Sequence, residues 1–328
     1  MPIVTPLTER LGLDVPVLLA PMAGVAGGAL AAAVSSAGGL GFIGGGYADR
    51  DWLASQIEAA GNTAIGVGFI TWALARDPDL LALTLARRPR ALFLSFGAVE
   101  AFAERIKAAG VALIVQVQTV ADARRAAAAG ADVIVAQGTE AGGHGSSRAT
   151  LPLVPAVVDA VGGIPVAAAG GIGDGRGLAA ALALGAGGAV CGTAFFAASE
   201  ALSHPNAKRA AVEASGDDTI RGSVFDLARG LDWPEPWTMR TLANGFSRQW
   251  HGDLPGLQAN LAAEQTRYEQ ARQDGNTDIA AVIIGEGADM VRAVEPAEAI
   301  VRRITAEAEQ ALARGADLVR VGHRSGQA

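Results

Sequence analysis

The sequence predicts a TIM (β/α)8 barrel, an α/β fold, with a smaller helical substrate domain beside it. One observation is a unit that recurs along the chain: an Ala-rich helix-like run, a Gly where the helix should stop, then a short apolar run. The clearest copies span 33–43, 105–116, 124–136 and 179–191. Gly just past a helix supplies a left-handed cap, and a continuous apolar run after it reads as a parallel strand buried on both faces. The second observation is the count, because eight such runs fall at 17–20, 40–43, 64–68, 91–95, 111–116, 132–136, 164–168 and 189–191. Their spacing leaves room for one crossover helix each, and eight strands with eight helices close into a barrel. An open doubly wound sheet is the rival arrangement.

The chain has 328 residues, 50% of them hydrophobic and 18% charged, which suits one substantial core. Formal net charge is −7 and the 26 basic residues are scattered, so nucleic acid is not an expected partner. A single cysteine excludes a disulfide framework and a Cys-based zinc cluster and fits a reducing cytoplasm. The first nine residues lack the basic segment and continuous apolar core of a signal peptide. Residues 177–199 are uncharged, but they are mostly Ala and Gly and read as packed helix and strand, so no membrane span is expected.

Past residue 200 the pattern changes. Residues 217–273 gather Trp, Pro and charge without buried-strand runs, and 295–312 reads as a long amphipathic helix returning to the body. The expected division is therefore a barrel over 1–215, a helical substrate domain over 216–290 and a returning C-terminal helix over 291–328.

In such barrels chemistry sits where strands end, so the strand ends carry the functional reading. After the first predicted strand comes Ala20-Pro21-Met22-Ala23-Gly24, and the fifth ends at Gln116. After the sixth comes Gln137-Gly138-Thr139-Glu140-Ala141-Gly142-Gly143-His144-Gly145. Ala169-Gly170-Gly171-Ile172 follows the seventh and Gly192-Thr193 the eighth. The last two turns occupy the position where these barrels hold phosphate, with Gly letting bare backbone approach the anion and Thr193 adding a hydroxyl. His144 is the most pointed of four histidines. It lies in a Gly-rich stretch past a barrel strand, where it can serve as base or electrophile, and no second His or Cys at ligand spacing suggests a metal. His204, His251 and His323 lie in polar or terminal segments and read as solvent-facing. Cys191 falls inside a buried strand and reads as an inert hydrophobe. Residues 39–44 match a dinucleotide fingerprint formally, but they form the strand rather than following one.

These strand-end motifs, taken together and in order, resemble the nitronate monooxygenase family, formerly called 2-nitropropane dioxygenases. The resemblance implies a TIM barrel with a helical substrate domain and non-covalent FMN. It places Pro21, Met22 and Ala23 along the flavin ring, Gln116 near its pyrimidine end, and Gly142 and Gly143 beside the ring. By the same resemblance Ala169, Gly170, Gly171, Gly192 and Thr193 hold the FMN phosphate, and His144 is the catalytic residue. The implied activity is oxidation of alkyl nitronates, and of nitroalkanes, with O2 to carbonyl compounds; a homodimer is compatible with it. Relatives on the same frame give the alternative, an NAD(P)H-dependent flavin reductase acting on enoyl thioesters or quinones. Two departures bear on that choice: Gly68 stands where many relatives have Asn, and Gln116 where the quinone reductases have Lys. Gly285-Glu286-Gly287 resembles the family's Gly-rich turn near the active site, with Glu286 in place of the usual amide.

Overall fold

A computed structural model describes residues 2–47 and 49–320. Eleven strands are found among them: β1 (Val17–Leu19), β2 (Phe42–Gly44), β3 (Gly66–Ile70), β4 (Ala91–Ser95), β5 (Ala112–Val117), β6 (Val133–Gln137), β7 (Gly143–Gly145), β8 (Val166–Ala169), β9 (Gly188–Cys191), β10 (Thr219–Gly222) and β11 (Thr238–Leu242). Eight form one parallel sheet in the order β1-β9-β8-β6-β5-β4-β3-β2, which are the eight predicted runs with no end shifted by more than two residues. The sheet closes on itself. Leu40 donates its backbone N–H to Val17 and accepts from Leu19, joining β1 to the entry of β2, so the open-sheet rival is excluded.

The strands read as unbroken apolar runs because both of their faces are buried. In β4, Ala91 and Phe93 point into the barrel, where Phe93 meets Phe42 edge-to-face at 5.3 Å, while Leu92 and Leu94 pack against the outer helices. Leu7 and Leu11 join the interior cluster from the helix Pro6–Leu11. That helix is tied to the starts of strands by Thr5 donating to Gly187 O and by Arg90 donating to Leu11 O, so it plugs the end away from the functional loops. Cys191 is fully buried in β9, and burial pushes its thiol up to about 12, which makes it unreactive. The segment matching a dinucleotide fingerprint is β2 itself, preceded by the helix Gly28–Ser36.

The expected returning helix runs over Ala297–Arg320 and packs on the helix Gly175–Ala183. The approach is so close that a Cβ on Gly175 would lie 2.2 Å from Ala308 N. No helix among the described residues is long and apolar enough to cross a membrane. His204 and His251 are exposed, and His323 lies outside the described residues.

Between the barrel and that helix lies the unit rich in Trp and Pro. Its helices surround a separate cluster that includes Phe225, Phe246, Trp250 and Tyr268. It also holds β10 and β11, which the sequence reading did not find. β10 is half-buried throughout and β11 alternates half-buried with buried residues, so neither runs continuously apolar. They pair antiparallel in the order β10-β11-β7, and β7 belongs to the loop that follows barrel strand β6. Met239 thereby lies in register with His144, which fastens the cap to the barrel mouth at its most pointed residue.

Candidate active site

At the C-terminal ends of the barrel strands a cavity of about 1200 Å³, counted to its open mouth, lies between barrel and cap. All twelve residues singled out from the sequence line it. Pro21, Met22 and Ala23 follow β1, Gln116 lies in β5, Gly142 leads into β7, and Gly143 and His144 lie in it. Ala169, Gly170 and Gly171 follow one another at the end of β8, and Gly192 and Thr193 follow β9.

Two arginines from the cap hold the loop that delivers His144. Arg221 donates to the carbonyls of Thr139 and Ala141, and Arg240 donates to Thr139 O while pairing with Glu286 at 2.8 Å. Burial, reinforced by Arg240, lowers Arg221 to about 10, a value that still leaves it cationic at neutral pH. Glu286 is thus a partner of Arg240, while its neighbour Gly287 lines the cavity. A second network comes from the barrel. Gln116 and Gln118 both donate to Gln137 Oε1, and Gln137 donates to His144 O at 3.0 Å, fixing the backbone of β7.

The imidazole itself is held by residues the sequence did not single out. Its Nε2 lies 2.9 Å from Asp226 Oδ1, and both side chains are buried. A carboxylate can only accept, so Nε2 carries the proton and Nδ1 keeps the lone pair. Trp233 stacks on the ring at 3.4 Å between centroids and 10° between planes, and its Nε1 donates to Tyr47 OH. Burial pushes His144 below its ordinary value, and the hydrogen bond and charge of Asp226 oppose this only in part. The ring is therefore a neutral base at neutral pH. Arg229 also lines the cavity, with its guanidinium beside the Met239 sulfur and the Tyr47 ring. Among the described residues no carboxylate lies within ion-pair distance of it.

Asp226 sits 82 residues from His144, and no motif spacing marks it, Arg229 or Trp233. The only sequence signal was the concentration of Trp and charge in an otherwise apolar chain. Asp226 is a positioning residue, and replacing it has a specific signature. Asp226→Asn removes the interaction that raises the His144 pKa and frees the ring to adopt the other tautomer. Proton-abstracting activity should fall by about 10²-fold, and its low-pH limb should move to lower pH. A pH–rate profile checks this: a simple loss of folded protein would lower the rate without moving the limb.

The glycines that line the cavity decide how well it fits a cofactor. A Cβ on Gly170 would press on Thr150 Oγ1 at 2.7 Å and one on Gly171 on the Glu140 side chain at 3.3 Å, whereas Cβ atoms on Gly143 and Gly192 would meet nothing nearer than 3.6 and 3.4 Å and would face nearly open space. That space is the cavity. Gly171 has φ +71°, a left-handed turn that presents backbone rather than side chain there. The Thr193 hydroxyl accepts from Gly285 N at 2.9 Å, which leaves its own proton free to donate. These features suit a cofactor that lies against bare backbone and ends in an anion.

A closed parallel barrel with its working cavity over the strand ends, capped by a separate unit that buries a neutral histidine, defines a TIM-barrel enzyme. The chain belongs to the nitronate monooxygenase family, whose model matches residues 4–66 and 70–307, and is an oxidoreductase. It is 38% identical over 333 residues to nitronate monooxygenase npaC of Metarhizium robertsii, covering 90% of this chain and 91% of that one. Among solved structures it resembles FabK from Thermotoga maritima with a TM-score of 0.84 and 30% identity, covering 96% and 99% of the two chains. It also resembles nitroalkane oxidase from Streptomyces ansochromogenes, with a TM-score of 0.78, 31% identity and coverage of 95% and 99%.

Proposed function

We propose that the protein oxidises alkyl nitronates with O2 to carbonyl compounds, using a bound FMN, and accepts nitroalkanes through His144. The observation that carries this reading is the pairing, on one cavity, of the Arg229 cation, which has no carboxylate partner among the described residues, and a buried neutral histidine. A cation so placed attracts an anionic substrate, and a neutral base beside it can create that anion from a neutral precursor. A nitronate is the deprotonated form of a nitroalkane, so one site serves both.

Ala169, Gly170, Gly171, Gly192 and Thr193 would hold the FMN phosphate, and Pro21, Met22, Ala23, Gly142 and Gly143 would lie along its ring. When bound, the flavin supplies the redox couple between the nitronate and oxygen. The rest belongs to the protein. Arg229 orients the nitro group, Nδ1 of His144 takes the α-proton, and Asp226 steadies the resulting imidazolium. Trp233 covers the imidazole face and keeps water from it.

The alternative, a nicotinamide-driven reductase, is favoured by the resemblance to FabK. It is disfavoured by Gln116, whose neutral amide would stabilise negative charge at the flavin's pyrimidine end less than an ammonium does. Oxygen uptake tests the proposal. FMN-loaded protein should consume oxygen on ethylnitronate without added nicotinamide, and no uptake on nitronates of any length would overturn it.

A further inference from the structure

Beside the active cavity lies a second one of about 900 Å³, counted likewise to its open mouth. Val99, Val115, Val117, Ala126 and Trp237 supply much of its wall. Of its charged groups, Arg125 pairs with Glu100 at 2.9 Å and with Asp122 at 3.7 Å, so the three form one ion-pair cluster with a single net negative charge. Away from that cluster the space offers a ligand mostly apolar surface.

Among the described residues, two, Phe96 and Gln116, line both cavities. Gln116 is tied down by its hydrogen bond to Gln137. Phe96 is the other part of the partition, and its backbone is unusual. It has φ +63°, a left-handed conformation that a bulky aromatic residue rarely adopts and that persists only where the surroundings impose it. Here the ring is wedged edge-to-face against Trp233 at 5.1 Å on the active-cavity side and against Trp237 at 5.5 Å on the other. It also meets the His144 ring at 6.3 Å. A ring held in a strained conformation between two cavities and against the base is placed to decide what reaches across.

We propose that Phe96 sets the chain length of the substrate: it closes the active cavity to long alkyl tails that the neighbouring apolar cavity would otherwise accept. The identity of that substrate as a nitronate rests on the function proposed above. The site then takes short nitronates, and removing the ring joins the two spaces into one channel that seats an unbranched tail.

The test compares kcat/KM on ethylnitronate and octylnitronate for wild type and Phe96→Gly, glycine being the residue that φ +63° favours. The octyl-to-ethyl ratio should rise by about tenfold or more, the gain expected when some two methylenes leave water. Adding Ser146→Phe, on a loop that lines only the second cavity, should fill the new space and return the ratio towards wild type. Should Phe96→Gly fail to fold, Phe96→Asn carries the same test, since Asn tolerates the left-handed region. An unchanged ratio, or a wild type that already uses octylnitronate as well as ethylnitronate, overturns the partition while leaving the nitronate reading intact. No oxygen uptake by wild type on either substrate overturns the nitronate reading, and the partition proposal falls with it.

Discussion

His144→Asn should keep its flavin and much of its activity on ethylnitronate, yet lose activity on nitroethane by about 10²- to 10⁴-fold, the range that a positioned general base contributes. The substrate's charge explains the asymmetry. Ethylnitronate arrives already deprotonated, whereas nitroethane must give up its α-proton within the site. Asparagine keeps polarity and approximate size, and its amide can still donate to Asp226, but it has no basic nitrogen. The pH dependence carries a sign. Burial holds the His144 pKa below its ordinary value, so the base is free at neutral pH, and nitroethane turnover should fall only as pH drops through that lowered value. Oxygen uptake on the matched pair measures this directly. Equal losses on both substrates would mean that His144 binds or orients the anion rather than taking a proton.

Gly171→Asp should give a folded, colourless protein. At φ +71° aspartate is among the residues that tolerate the left-handed region, so the turn should survive. Its Cβ would lie 3.3 Å from the Glu140 side chain and at the edge of the cavity where the phosphate is proposed to bind. The new carboxylate would both fill space the cofactor needs and repel its anion. A loss of at least about 100-fold in flavin affinity is expected, about 2.7 kcal/mol by the affinity scale. Absorbance of the purified variant checks it. Full FMN occupancy would remove Gly171 from the phosphate site and leave the glycine turns as simple strand-to-helix connections.

The barrel was legible because fully buried parallel strands leave a strong trace: each of the eight is a short apolar run, and all but β4, whose preceding helix ends at Arg87 and the left-handed Arg88, lie behind a helix-stopping glycine. Cavity-lining residues at strand ends were legible for a related reason, since Gly170, Gly171 and Gly192 stand beside the strands they terminate. The cap was not. β10 and β11 are short, half-buried and interrupted by Arg221 and Arg240, so their pattern is that of an ordinary polar segment. Asp226 and Trp233 reach His144 only through tertiary packing, when β11 pairs with β7. Arg229 and Glu286 are charged residues among many, and nothing local shows that one lines a cavity while the other pairs with Arg240. The backbone of Phe96 is invisible for a further reason: its φ is imposed by rings distant in the chain, and phenylalanine carries no signal for it.

Anaerobic mixing of the FMN-loaded protein with ethylnitronate, NADH and NADPH in turn, followed by flavin absorbance, tests the central claim most directly. The account predicts rapid loss of absorbance with ethylnitronate and slow loss with either nicotinamide. Rapid, stoichiometric bleaching by NADH together with no response to the nitronate would contradict it and make the protein a nicotinamide-driven reductase.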